Sequence, residues 1–152
     1  MDTIPTVSLT RAFGVSPARL YELLSTPRYM ERWFSPAPEI GVRVELHDFR
    51  VGGAYQLAYT QPDGAIHIVK GEFVSVTPES QIVFTWTWED PDPHAGILTL
   101  VTWDIEAAGD GANLKVTHER LPDREARERH AAGWGGTLDR LADIAQSTGE
   151  LA

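Results

Sequence analysis

Gln81-Ile82-Val83-Phe84-Thr85-Trp86-Thr87-Trp88 places four large apolar side chains on alternate positions. A period of two over eight residues predicts a strand with one face buried, and this face is the best candidate for the interior. Upstream, Thr77-Pro78-Glu79-Ser80 is turn chemistry. Before it runs a strand carrying Ile66, Ile68, Phe73 and Val76, with a bulge expected at Gly71. Pro62-Asp63-Gly64 makes a tight turn back to Tyr55, Leu57 and Tyr59, and Gly52-Gly53 separates these from Val42, Val44 and Leu46. Downstream, Asp90-Pro91-Asp92-Pro93-His94-Ala95-Gly96 cannot continue a strand and predicts an exposed loop. A strand over Ile97 to Ile105 containing Trp103 comes next, then Gly109-Asp110-Gly111, then Leu114, Val116 and His118. Six consecutive strands with short connections predict sequential antiparallel pairing.

Val7, Leu9 and Phe13 add an opening strand, interrupted by Arg11. Ser16-Pro17 predicts a helix start, an N-cap followed by proline, with Leu20, Leu23 and Leu24 on one stripe. Thr26-Pro27 repeats the signal for a second short helix through Tyr29, Met30, Trp33 and Phe34, ended by Pro36 and Pro38. From Pro122 to about Gln146, Trp134, Leu138, Leu141 and Ile144 or Ala145 recur at helical spacing. Because the strands form one contiguous block, the fold class is α+β: a curved seven-stranded antiparallel sheet, two short helices after the first strand, and a long C-terminal helix. Covering one helix obliges such a sheet to curl, with Gly52, Gly53 and Gly71 as places to do so, and a curled sheet seldom fills its own middle.

A chain of 152 residues with 42% hydrophobic and 23% charged residues suits one globular domain over residues 1–152. A formal charge of −9 without a Lys/Arg run argues against nucleic acid and anionic membrane surfaces. No apolar run approaches the ~20 residues of a spanning helix. The start Met1-Asp2-Thr3-Ile4-Pro5 has no signal-peptide pattern, so the cytoplasm is the expected location. The absence of cysteine removes disulfides, thiol nucleophiles and thiolate metal sites.

Trp33-Phe34-Ser35-Pro36, Asp48-Phe49-Arg50-Val51-Gly52-Gly53, Pro62-Asp63-Gly64, Gly71-Glu72-Phe73, Pro78-Glu79 leading to Phe84-Thr85-Trp86, and His130-Ala131-Ala132-Gly133-Trp134 stand in a telling order. In that order and spacing the chain resembles the bacterial homologues of the activator of heat-shock-protein ATPase, within the START-like (SRPBCC) superfamily. The likeness covers nearly the whole sequence. It implies a helix-grip fold and a deep cavity for lipids, sterols, polyketides or other apolar ligands, in a group that includes carriers and cyclases. A chaperone is the lesser of the implied partners, because the eukaryotic activators have a further N-terminal domain that is not in this sequence.

Trp33, Phe34, Tyr55, Tyr59, Trp86, Trp88, Trp103 and Trp134 are many rings for 152 residues, and such rings commonly wall apolar pockets. Leu138 extends the helical share of that wall. A filled core is the plainer reading of the same residues. His118 is in phase with Val116, and His130 lies one turn before Trp134, so both are expected to face the interior as polar anchors. An ordinary buried histidine is again the plainer reading. No paired metal-ligand spacing, no Gly-x-Ser-x-Gly elbow and no phosphate loop is present, so neither metal nor cofactor is expected. The leading expectation is binding of a small, mostly apolar molecule. The alternatives are a cyclase or hydratase moving protons through a cavity histidine, and a chaperone-interacting module. Whether the chain forms a homodimer is left open.

Overall fold

A computed structural model describes residues 6–146. Strand β1, Val7–Phe13, is followed by helices α1, Pro17–Ser25, and α2, Pro27–Trp33. Strands β2 (Gly41–His47), β3 (Ala54–Thr60), β4 (Ile66–Thr77), β5 (Gln81–Trp88), β6 (Thr99–Ala108) and β7 (Gly111–Glu119) follow, and helix α3, Arg124–Gln146, comes last. All seven strands make one antiparallel sheet in the order β1-β7-β6-β5-β4-β3-β2. The α+β architecture expected from the contiguous strand block is the one present.

The helix starts follow their local chemistry. Ser16 accepts a hydrogen bond from the Arg19 amide ahead of Pro17, whereas Thr26 caps α2 without using its side chain. α3 begins two residues later than Pro122, because the Asp123 carboxylate takes the Ala126 amide at 2.9 Å and so forms the cap. Ala126, His130, Trp134, Leu138, Leu141 and Ala145 then form the buried stripe. α3 is tied to β1 by an ion pair from Arg11 to Asp139, 2.8 Å. It is tied to the end of α2 by Arg140, which donates to the Ser35 hydroxyl and the Arg32 carbonyl.

Several strand details differ from the sequence reading. Leu46 is exposed rather than in line with Val44, because the β2–β3 register shifts between them and turns His47 inward. In β4 the inward phase belongs to Val69 and Phe73, and Ile66 is exposed. The β4–β5 shift lies between Phe73 and Ser75, not at Gly71. At Gly71 a side chain would lie 2.0 Å from the Thr85 carbonyl oxygen and 2.6 Å from the Tyr55 ring. Tyr55 donates its hydroxyl to that carbonyl, and the Thr85 hydroxyl accepts from the Glu72 amide. Gly71 is therefore a place where a tyrosine enters the ladder. β6 begins at Thr99, after Ile97 and an exposed Leu98.

Candidate functional site

Rings from three elements meet beneath α3. Phe34, the residue that ends α2, stacks on Trp33 at 4.8 Å and lies 5.7 Å from Trp134 of α3; Trp134 lies 5.4 Å from Trp86 of β5. Beside this cluster a cavity of about 340 Å³ opens between sheet and helix, near the lower end of the usual range for small-molecule sites. Its walls are Phe34, Pro36 and Ile40 after α2, Tyr59 of β3, Trp86 and Trp88 of β5, and Ala132, Gly133 and Trp134 of α3. Gln61, His67, Arg129 and His130 supply polar groups, and Thr137 a hydroxyl farther along α3.

Of the residues singled out from sequence, Phe34, Tyr59, Trp86, Trp88, His130 and Trp134 border this space; Trp33, Tyr55, Trp103, His118 and Leu138 do not. Trp33 is spent on the core and donates its indole N–H to the Leu23 carbonyl at 2.8 Å. Tyr55 and Trp103 line a separate gap of only about 10 Å³, too small for a ligand. Leu138 is buried along α3. His118 is fully buried one layer behind Trp86 and Trp134.

The two histidines hold opposite tautomers, assigned from their partners. The Trp134 indole N–H donates to His118 Nδ1 at 3.0 Å, so Nε2 carries the proton and gives it to the Thr99 hydroxyl at 2.7 Å. Thr99 donates onward to the Trp86 carbonyl at 2.8 Å. The Trp88 indole N–H donates to His130 Nε2 at 3.0 Å, and His130 Nδ1–H donates to the Ala126 carbonyl at 2.7 Å. Burial, reinforced by the neighbouring His130, pushes the His118 pKa down to about 3. Burial likewise brings His130 to about 4, with the Arg129 charge helping and the Ala126 bond opposing. Both rings are neutral at physiological pH, and every ring nitrogen is engaged. Burial also holds the Tyr59 phenol well above its ordinary value, so it too is neutral.

The 90–96 segment is not simply an exposed loop. The side chain of Asp92 is 0% exposed, because Arg129 of α3 grips both carboxylate oxygens at 2.8 and 2.6 Å. The His94 amide adds a bond at 2.8 Å, and His67 Nδ1 stands 3.6 Å away. Burial raises the Asp92 pKa, but the Arg129 and His94 hydrogen bonds and the Arg129 and His67 charges outweigh it and leave the pKa below its ordinary value. Arg129 also lies over the Trp88 ring at 4.9 Å and donates to His94 Nδ1 at 2.6 Å. Sequence reasoning missed Gln61, His67, Asp92 and Arg129. The one available signal was an acid within a proline-broken loop, where a buried charge needs a distant partner.

α3 approaches the cavity through glycines. A side chain at Gly136 would sit 2.1 Å from the Pro36 carbonyl oxygen, so it is the loop after α2, not the sheet, that comes close there. At Gly133, on the cavity wall, an added Cβ meets nothing within 4 Å. Trp86 and Trp103 keep buried indole N–H groups with no acceptor among the described residues, each a local cost of about 1–3 kcal/mol. Among those residues no three metal-ligating side chains converge, and no helix is long and apolar enough to cross a membrane.

Residues 14–146 match the profile of a protein family described as activator of Hsp90 ATPase homolog 1-like protein. The chain belongs to this family. Solved structures similar to this activator-homologue chain include protein CV1439 from Chromobacterium violaceum, 27% identical over 93% of this chain and 96% of that one, with a TM-score of 0.83. The AHSA1 protein from Silicibacter pomeroyi is 28% identical over 91% of this chain and 95% of its own, with a TM-score of 0.81. Protein NE0264 from Nitrosomonas europaea, 21% identical with a TM-score of 0.79 over 97% and 98%, shares the fold. No curated protein matches the chain significantly. The family's fold with a buried aromatic cluster is compatible with ligand binding in general.

Proposed function

We propose that this chain binds a small, mostly apolar, ring-bearing molecule in the cavity under α3. The observation that carries the reading is the cavity itself: about 340 Å³ walled by Phe34, Tyr59, Trp86, Trp88 and Trp134, with Gln61, His67, Arg129 and His130 as polar groups in its lining. Burying a flat apolar ligand against such rings gives the driving force, and a few polar groups orient it.

A proton-transfer enzyme would need a side chain able to gain or lose a proton near neutrality. His118 and His130 are poor candidates, with both nitrogens engaged and pKa values far below neutrality. The chaperone-interacting reading rests on the family description alone.

Gly133→Phe tests the proposal, since its ring would occupy the open space beside the glycine. N-phenyl-1-naphthylamine, an uncharged apolar fluorophore, is expected to bind the wild type and to lose at least about tenfold in affinity in the variant. Equal binding by a folded Gly133→Phe protein would place the probe elsewhere and defeat the reading.

A further inference from the structure

Arg129 borders the cavity with its charge already answered. The guanidinium has five N–H donors; two go to Asp92 and one to His94 Nδ1. That leaves Nε–H and one Nη2 hydrogen of a side chain that lines the cavity together with Gln61 and His67. Asp92 itself is closed off, with both oxygens held by Arg129 and no exposed surface. This end of the cavity is therefore rich in donors and close to zero in net charge.

We infer that the polar end of the cavity selects an uncharged oxygen, such as a phenol, ketone or ether, and discriminates against a carboxylate, with Asp92 as the specificity-determining residue acting through Arg129. The inference rests on the cavity-binding reading. A ligand oxygen accepts from the spare Arg129 donors at the cost of displacing solvent. A carboxylate there loses its hydration while facing a cation that Asp92 has neutralised, and it meets the Asp92 charge behind that cation. Lone arginines bind carboxylates by the same fork that Asp92 occupies here, so the buried acid competes with any anionic ligand for one surface.

The test compares 2-naphthol with 2-naphthoate by titration calorimetry at about pH 7.5, where the carboxylic acid is ionised and the phenol is not. The two probes share one ring system, so the contrast isolates charge. Wild-type protein should prefer 2-naphthol by about tenfold or more. Asp92→Asn keeps the shape but frees the cation, so 2-naphthoate should tighten by about tenfold while 2-naphthol changes little. Arg129→Gln exposes the ligand to the unneutralised acid and should weaken 2-naphthoate further, so the two variants move that probe in opposite directions. Wild-type protein that binds 2-naphthoate as tightly as 2-naphthol overturns the inference and leaves cavity binding standing. Failure to bind either naphthalene or the neutral fluorophore overturns both.

Discussion

Gly135 and Gly136 are adjacent in α3, yet alanine should act oppositely at the two. In a helix interior, glycine to alanine gains about 1 kcal/mol from backbone entropy. At Gly135 an added Cβ meets nothing within 4 Å, so the gain should appear in full. At Gly136 the same atom would lie 2.1 Å from the Pro36 carbonyl oxygen, where real Cβ contacts essentially never fall below 3.0 Å, so the oxygen must retreat by about 0.9 Å. Retreat is resisted. Ser35 donates to the Ala37 carbonyl, and Arg140 holds the Ser35 hydroxyl and the Arg32 carbonyl. Forced overpacking costs about 1–3 kcal/mol, which offsets and then exceeds the helix gain. The two single variants should differ by about 2 kcal/mol, a melting difference of roughly 4–8 °C in a chain of this size. Circular dichroism melts of Gly135→Ala and Gly136→Ala measure it. If Gly136→Ala melts at or above Gly135→Ala, the close approach of the loop after α2 is not what requires glycine there.

Acidification should destabilise the protein before its carboxylates are protonated. His118 and His130 have folded pKa values near 3 and 4, below the ordinary histidine value, so the unfolded chain binds more protons and stability falls as pH drops through 6.5 towards 4. Urea unfolding should lose roughly 2–4 kcal/mol between pH 7 and pH 5; a flat profile over that interval contradicts the neutral assignment. Thr99→Val removes the hydroxyl between His118 and the Trp86 carbonyl. It should cost about 1–3 kcal/mol in the same assay, and a neutral result would mean that the chain of bonds contributes nothing. Arg129→Met strands the Asp92 carboxylate, which has no exposed surface. A loss of about 2–4 kcal/mol is expected, partly relieved at low pH as Asp92 takes a proton; equal loss at all pH values would show that lost packing of Arg129, not charge, was responsible.

The strands and helices were legible because their signals are local. Alternation in Ile82, Phe84 and Trp86, and the stripe through Trp134, Leu138 and Leu141, belong to single elements, and these residues are buried as that periodicity requires. The misread features depend on what lies across from a residue. Gly71 looked like a bulge, but its lack of a side chain admits a carbonyl and a tyrosine from the strands on either side. Leu46 alternates correctly on paper, and one shifted register puts it in solvent. Asp92 sits among prolines and turn residues, and nothing near it in the chain announces an arginine 37 positions later. His118 and His130 were legible as inward-facing from their phase with Val116 and Trp134. That both would be saturated by indole and backbone groups was not, since tautomers depend on partners rather than position.

Those indole bonds bear on why a hollow persists at all. Large rings beside empty space would ordinarily swing inward and recover dispersion energy by filling it. Here Trp88 and Trp134 are each tethered at the nitrogen to a histidine, His130 and His118, whose other ring nitrogen is itself engaged. Rotating Trp134 would orphan a buried donor and a buried acceptor together, at about 1–3 kcal/mol for each group left unmet, and rotating Trp88 would leave the Nε2 of His130 without its donor. The tethers act as struts, so side-chain chemistry takes part in keeping room beneath the terminal helix.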